Sequence, residues 1–194
     1  IMPFAWLLYG HILVDVAIRA ADIMQEEQRN NTLQLLMATP MSVQQIFLGK
    51  IAAALWRRMD DLYLVGNVVA WLSAPMLFAL YEPVWSVEEF AGVSQMFIVL
   101  ALVVSLLRLL LEPILIGSLA ILIGVLTTGR SVAITATVAL SAAFFFLMYM
   151  VRRIPIITQD PVAVVIMDFV LPIVIPVVGS YIFLWMAARF VAED

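Results

Sequence analysis

His11, Asp15, Arg19 and Asp22 follow one another at spacings of four, four and three residues, which on a helix places them on one face. Arg108 and Glu112, also four apart, sit inside a long apolar run. Ionisable groups at membrane depth can relay protons or hold a charged substrate, because apolar surroundings leave them few partners but each other. The plainer explanation is a structural pair, since an unpaired charge at that depth costs roughly 3 kcal/mol or more. For Arg108 with Glu112 the structural role is favoured, and the same reasoning covers Asp15 with Arg19. His11 serves equally well as a satisfied core histidine or as a ligand. Asp168, set among prolines, fits an exit pathway or a solvated outer surface. Catalytic chemistry is otherwise poorly supplied. The chain has no Cys and one His, which excludes disulfides, thiolate nucleophiles and multi-histidine metal sites. HExxH, GxSxG and GxGD-like settings are absent, so no catalytic, metal or cofactor residue is expected. Gly49-Lys50 lacks the earlier glycine of GxxxxGK[ST], so a phosphate-binding loop is missing too.

The elements that hold these residues are dictated by composition. With 65% hydrophobic and 12% charged residues and a mean hydropathy of +1.10, the chain is far more apolar than a soluble domain. Its apolar runs exceed the ~20 residues that cross a ~30 Å hydrocarbon core, and only helices or closed barrels satisfy the backbone there. An all-α membrane protein follows, a polytopic helical bundle forming one domain over residues 1–194. A net charge of −4 with interspersed acids and bases gives no basic patch, so nucleic acid is not an expected partner.

Five spans are expected. The first covers residues 2 to about 24 and carries the polar stripe. A helix beginning near Ser42 continues through Gly49-Lys50 and Arg57, Arg58, Asp60 and Asp61 into a span over Leu62 to Tyr81. Ser94 to Thr128 reads as one long span or a hairpin; one span is preferred, because it puts Arg130 beside the other bases. Val132 to Val151 forms the next span. Pro155, Pro161 and Asp168 then mark Arg152 to Pro172 as short outer or re-entrant helices, and Ile173 to Phe190 is the last crossing. The small residues Gly117, Ser118, Gly124, Ala133, Ala136 and Ala139 allow close helix approach. Residues 29 to 58 hold Arg29, Lys50, Arg57 and Arg58, whereas Glu82 to Val93 holds acids and no base. The positive-inside rule therefore puts the loop 26–61 and the C-terminus in the cytoplasm and Glu82 to Val93 outside.

The segment EEQRNNTLQLLMATPMSVQQIFLGK, Glu26 to Lys50, is polar and amphipathic inside an otherwise apolar chain. Asn31 or Thr32 can cap a short helix over Leu33 to Ala38, and Thr39-Pro40 stops it. Ser42 with Gln45 makes a capping-box pattern, and Met41 is placed to pack on Ile46 as a hydrophobic staple. In its order of Glu26, Glu27, Arg29, Thr32, Leu35, Leu36, Thr39, Pro40, Ser42, Ile46, Gly49 and Lys50, the segment resembles the cytoplasmic loop after the second membrane helix of type-2 ATP-binding-cassette permeases. Asn31 stands where that family usually has Gly directly before the Thr. The resemblance covers about 25 residues closely, and the order of spans agrees over the rest of the chain.

What the resemblance implies is an exporter's membrane-spanning subunit in the cell (inner) membrane, with spans two to six of six present and the first missing upstream. Leu33 to Ala38 would be the coupling helix in a groove of a separate cassette ATPase, with Leu33, Leu36 and Met37 as apolar face and Glu26, Glu27, Arg29, Thr32 and Pro40 framing it. ATP and Mg would bind that partner, with no cofactor in this chain, and a second permease subunit would complete a homo- or heterodimer. The alternative is a permease-like structural subunit of a larger respiratory or photosynthetic membrane complex, without transport. Asn31 and the intramembrane charges Asp15, Arg19, Arg108 and Glu112 leave room for it.

Overall fold

A computed structural model describes residues 2–30, 32, 40–81, 87–152, 163 and 165–193. Among them every regular element is helical: α1 (Met2–Arg29), α2 (Val43–Trp56), α3 (Met59–Tyr81), α4 (Val87–Leu126), α5 (Arg130–Arg152), and a π-helical turn over Ile166–Val170 that runs directly into α6 (Leu171–Glu193). Four stretches are long and apolar enough to cross a membrane: Pro3–Arg29, Gln95–Leu126, Arg130–Val151 and Ile166–Ala192. The fifth expected span corresponds to α3, a helix of 23 residues whose side chains are described through Trp71.

The capping box at α2 is present in both directions. Ser42 accepts from the Gln45 N–H and the Gln45 side chain accepts from the Ser42 N–H, satisfying two donors that the first turn leaves free. Met41 stays more than half exposed, so the expected staple adds little. The expected continuous helix from Ser42 into the next span is instead broken at Arg57-Arg58. The break lets Arg58 turn toward α1, and Asp60 and Asp61 then occupy the first turn of α3, where acidic groups complement the exposed N–H dipoles.

The preference for one span over Ser94 to Thr128 matches α4, which runs unbroken for 40 residues with Pro113 inside it. At 1.5 Å per residue that is roughly 60 Å of helix. The expected re-entrant arrangement of Arg152 to Pro172 needs correction over its last part. Residues 153–162 lie outside the described residues, but Ile166–Val170 belongs to the same rod as α6, so the last crossing starts at Ile166 rather than Ile173. In that wider turn the Leu171 N–H reaches back to the Ile166 carbonyl, and a locally widened backbone tolerates the missing donor of Pro172.

Helix α4 is the centre of the bundle, with α1, α2, α3, α5 and α6 packed on it. Tyr9 meets Glu112 and Gln25 meets Thr127, so α1 and α4 run side by side in the same direction. The Phe169 and Phe97 rings meet at a tilt of 58° with 5.7 Å between ring centres, and Leu184, Ala187 and Val191 join Ala120 to Ile123 in one buried cluster. Helix α6 is therefore parallel to α4 as well. Leu62 and Val65 pack with Tyr9, Ile12 and Val16, which makes α3 antiparallel to α1. The main core holds Met24, Phe47, Ile51, Ile121, Ala133 and Val191. One end of the bundle thus gathers the ends of α1, α4 and α6 with the starts of α2 and α5. The outer surface is a broad apolar skin, including Trp6, Trp71, Phe146 and Tyr181, as lipid contact requires.

Two glycines fix how closely the helices approach. A Cβ on Gly124 would lie 2.9 Å from Met24 Cβ, and one on Gly117 would lie 2.9 Å from Ile51 Cγ2. Small residues on α4 therefore seat α1 and α2 directly against its backbone.

Candidate functional site

Of the polar side chains expected from the sequence, Glu27, Thr32 and Lys50 meet at the end of the bundle where α1 ends. Glu27, near the last turn of α1, accepts from Lys50 on α2 and from the Thr32 hydroxyl. Lys50 and Glu27 are 23 residues apart, so this contact closes the base of the loop between α1 and α2. Asn30 and Thr32 continue the turn through N–H bonds to the carbonyls of Glu26 and Glu27 at 3.0 and 3.1 Å. Glu26, Arg29 and Pro40 are exposed. Leu33, Leu36 and Met37, together with the expected helix over Leu33 to Ala38, lie outside the described residues.

Three further contacts join α1 to the rest of this end. Gln25 donates to the carbonyls of Gly124 at 2.8 Å and Thr127 at 2.6 Å, and Gln28 to that of Val125 at 3.2 Å. The last carbonyls of a helix have no partner within it; here two amide side chains of α1 supply them for α4. Arg130, at the start of α5, donates from Nε and Nη2 to the two carboxylate oxygens of Asp22 at 2.6 and 2.8 Å. That bidentate form fixes orientation as well as charge. Deeper in, Asp15 accepts from Arg19 at 2.6 Å and from Arg58 at 2.8 Å, and Arg58 also donates to Asp61 at 2.9 Å. Its hydrogen bonds to the Asp15 and Asp61 carboxylates hold the Arg58 guanidinium above its ordinary pKa range.

Arg108 and Glu112 form the expected pair on α4. The structure adds a third member: the Tyr9 hydroxyl donates to the second Glu112 oxygen at 2.7 Å. Glu112 is buried, and each of its oxygens accepts one of these hydrogen bonds. The four-residue stripe on α1 divides. Asp15 and Arg19 meet the corner of α2 and α3, Asp22 meets α5, and His11 is exposed. Asp168 sits in the π-helical turn, partly buried.

Tyr9, Gln25 and Gln28 were not among the residues singled out by sequence, and Arg58 was read there only as one of the loop's bases. Their partners lie 103, 99, 97 and 43 residues away, beyond any local spacing rule. Among the described residues this end has a cleft of about 660 Å³ walled by Asp22, Gln25, Glu26, Gln28, Arg29, Thr128 and Arg130, and a smaller one between α1 and α2 that Asp22 and Glu26 also line. No group of three or more potential metal ligands occurs among the described residues. No family model, curated protein or solved structure matches this chain.

Proposed function

We propose that this chain is the membrane-spanning permease subunit of an ATP-driven exporter, coupled to a separate ATPase through the loop 26–50. The observation that supports this reading is the polar clamp at the base of that loop. Glu27 and Lys50 tie its two ends together, Gln25 and Gln28 tie α1 to the end of α4, and Asp22 ties it to α5. A load applied to the loop is then shared by four helices rather than absorbed by one flexible connection. That is what a coupling lever requires, because closure of a partner can bias the bundle only through elements that move together. ATP and Mg would be held and consumed by the partner. A second permease subunit would supply the other half of the translocation path, and the loop and C-terminus would face the cytoplasm on the charge asymmetry of the sequence.

A second reading, a permease-like structural subunit of a larger membrane complex, is favoured by one feature. The polar groups of Tyr9, Arg108 and Glu112 are occupied with one another, as a scaffold needs. Purification of the intact complex separates the two. Stoichiometric recovery of a soluble ATPase fits the exporter, and recovery of redox or pigment proteins without any ATPase fits the scaffold.

A further inference from the structure

The smaller cleft, of about 290 Å³, runs between α1 and the end of α2. Its walls are Arg19, Asp22 and Glu26 on one side and Ala53, Ala54 and Arg57 on the other. The two alanines leave the space, and the charges decide what suits it. Arg19 is engaged by Asp15 and Asp22 by Arg130. Glu26 and Arg57 form no ion pair or hydrogen bond through their side chains with the described residues, and both are exposed. Glu26, which also feels the positive charge of Arg130 across the larger cleft, and Arg57 thus border a cleft whose four charged walls sum to zero.

Its level is marked by Trp56, the last residue of α2 and next to Arg57, which is 76% exposed. Amphipathic rings collect at the headgroup layer, and Glu26 lies within a turn of the end of α1. A long arginine side chain at that level extends naturally to phosphate. An anionic headgroup would meet Asp22 and Glu26, and a simple cation would meet Arg19 and Arg57. A molecule carrying both charges satisfies both walls.

We propose that this cleft binds a zwitterionic phosphate–primary amine group, the phosphate on Arg57 and the amine on Glu26, supplied by the headgroup of a phosphatidylethanolamine lipid. The primary amine matters, because a quaternary ammonium carries no N–H to donate to a carboxylate. The site stands on the membrane character of the chain and does not depend on the transport reading.

The test is native mass spectrometry of the delipidated full chain with lipids added back one at a time. Phosphatidylethanolamine should bind more tightly than phosphatidylcholine and phosphatidylglycerol, and that order needs no variant. Arg57→Gln and Glu26→Gln, both at exposed positions outside the core, should each weaken it about tenfold, the loss of one charge-assisted hydrogen bond. Phosphatidylglycerol binding as well as phosphatidylethanolamine, or equal retention by wild type and both variants, would overturn the proposal. Soluble O-phosphoethanolamine is the remaining arm. Weak binding of it supports a lipid source, whereas displacement of the lipid at equal concentration would overturn that source and assign the cleft to a soluble ligand.

Discussion

Arg58 Nε donates to Asp15 Oδ2 at 2.8 Å across 43 residues of sequence, and this contact joins the start of α3 to the middle of α1. The same guanidinium holds Asp61 at 2.9 Å, so one side chain spans two helices. A lysine offers a point charge rather than a planar fork. Arg58→Lys is expected to keep one contact and lose the other. A double-mutant cycle over Arg58 and Asp15, read by thermal unfolding in detergent, should give a coupling on the order of 1 kcal/mol. Strict additivity would mean that the contact does not contribute.

Tyr9, Arg108 and Glu112 should matter for folding. Tyr9→Phe removes one donor from a buried carboxylate and is expected to cost about 1–3 kcal/mol. Glu112→Ala leaves Arg108 without its partner and should lower the yield of folded protein, while replacing Arg108 and Glu112 together with apolar residues should recover part of it. Monodisperse protein in gel filtration is the measure. If the double replacement folds normally yet abolishes activity, the groups serve function rather than architecture.

Close helix contact makes a graded prediction. Gly124→Ala places a methyl group 2.9 Å from Met24 Cβ, an atom tied to the α1 backbone, and should destabilise by about 1–3 kcal/mol. Gly179→Ala meets Leu115 Cδ1 at 2.7 Å, the far end of a side chain that can rotate away. It should therefore cost less, despite the shorter distance. Melting temperatures of the two variants decide the order.

Much of this architecture was legible in the sequence because it depends on local pattern. The apolar runs, the Ser42–Gln45 capping box and the Arg108–Glu112 pair follow from composition or from local spacing, whereas the single long α4 is preferred over a hairpin only on the placement of Arg130. Tertiary choices were not legible. Nothing near Arg57-Arg58 breaks a helix by propensity, since neither proline nor glycine stands there; the break serves Asp15, which lies on another helix. Gln25 and Gln28 read as ordinary polar residues until the open end of α4 appears beside them. The π-helical turn before Pro172 likewise depends on backbone geometry that prolines alone do not specify.

The charge asymmetry of the sequence predicts a sidedness. With single cysteines introduced at Gln45 and at Glu88, an impermeant thiol reagent applied to intact cells should label the Glu88 position and leave Gln45 untouched until the membrane is broken. Gln45 is exposed at the start of α2, so absence of labelling there reports sidedness rather than burial. Labelling of Gln45 alone would reverse the orientation.

The central claim is that the loop closed by Glu27 and Lys50 carries a coupling contact to an ATPase, and Leu36 is the apolar anchor that the resemblance assigns to it. Leu36→Asp would put a charge into the receiving groove, where apolar anchors carry most of the binding. The measurement is recovery of the ATPase by the wild-type chain and by Leu36→Asp, with the folded state of each checked by gel filtration. The ATPase should be recovered with the wild type and lost with Leu36→Asp while the membrane bundle remains folded. If neither protein brings down an ATPase and both remain in a large membrane complex, the exporter reading is contradicted.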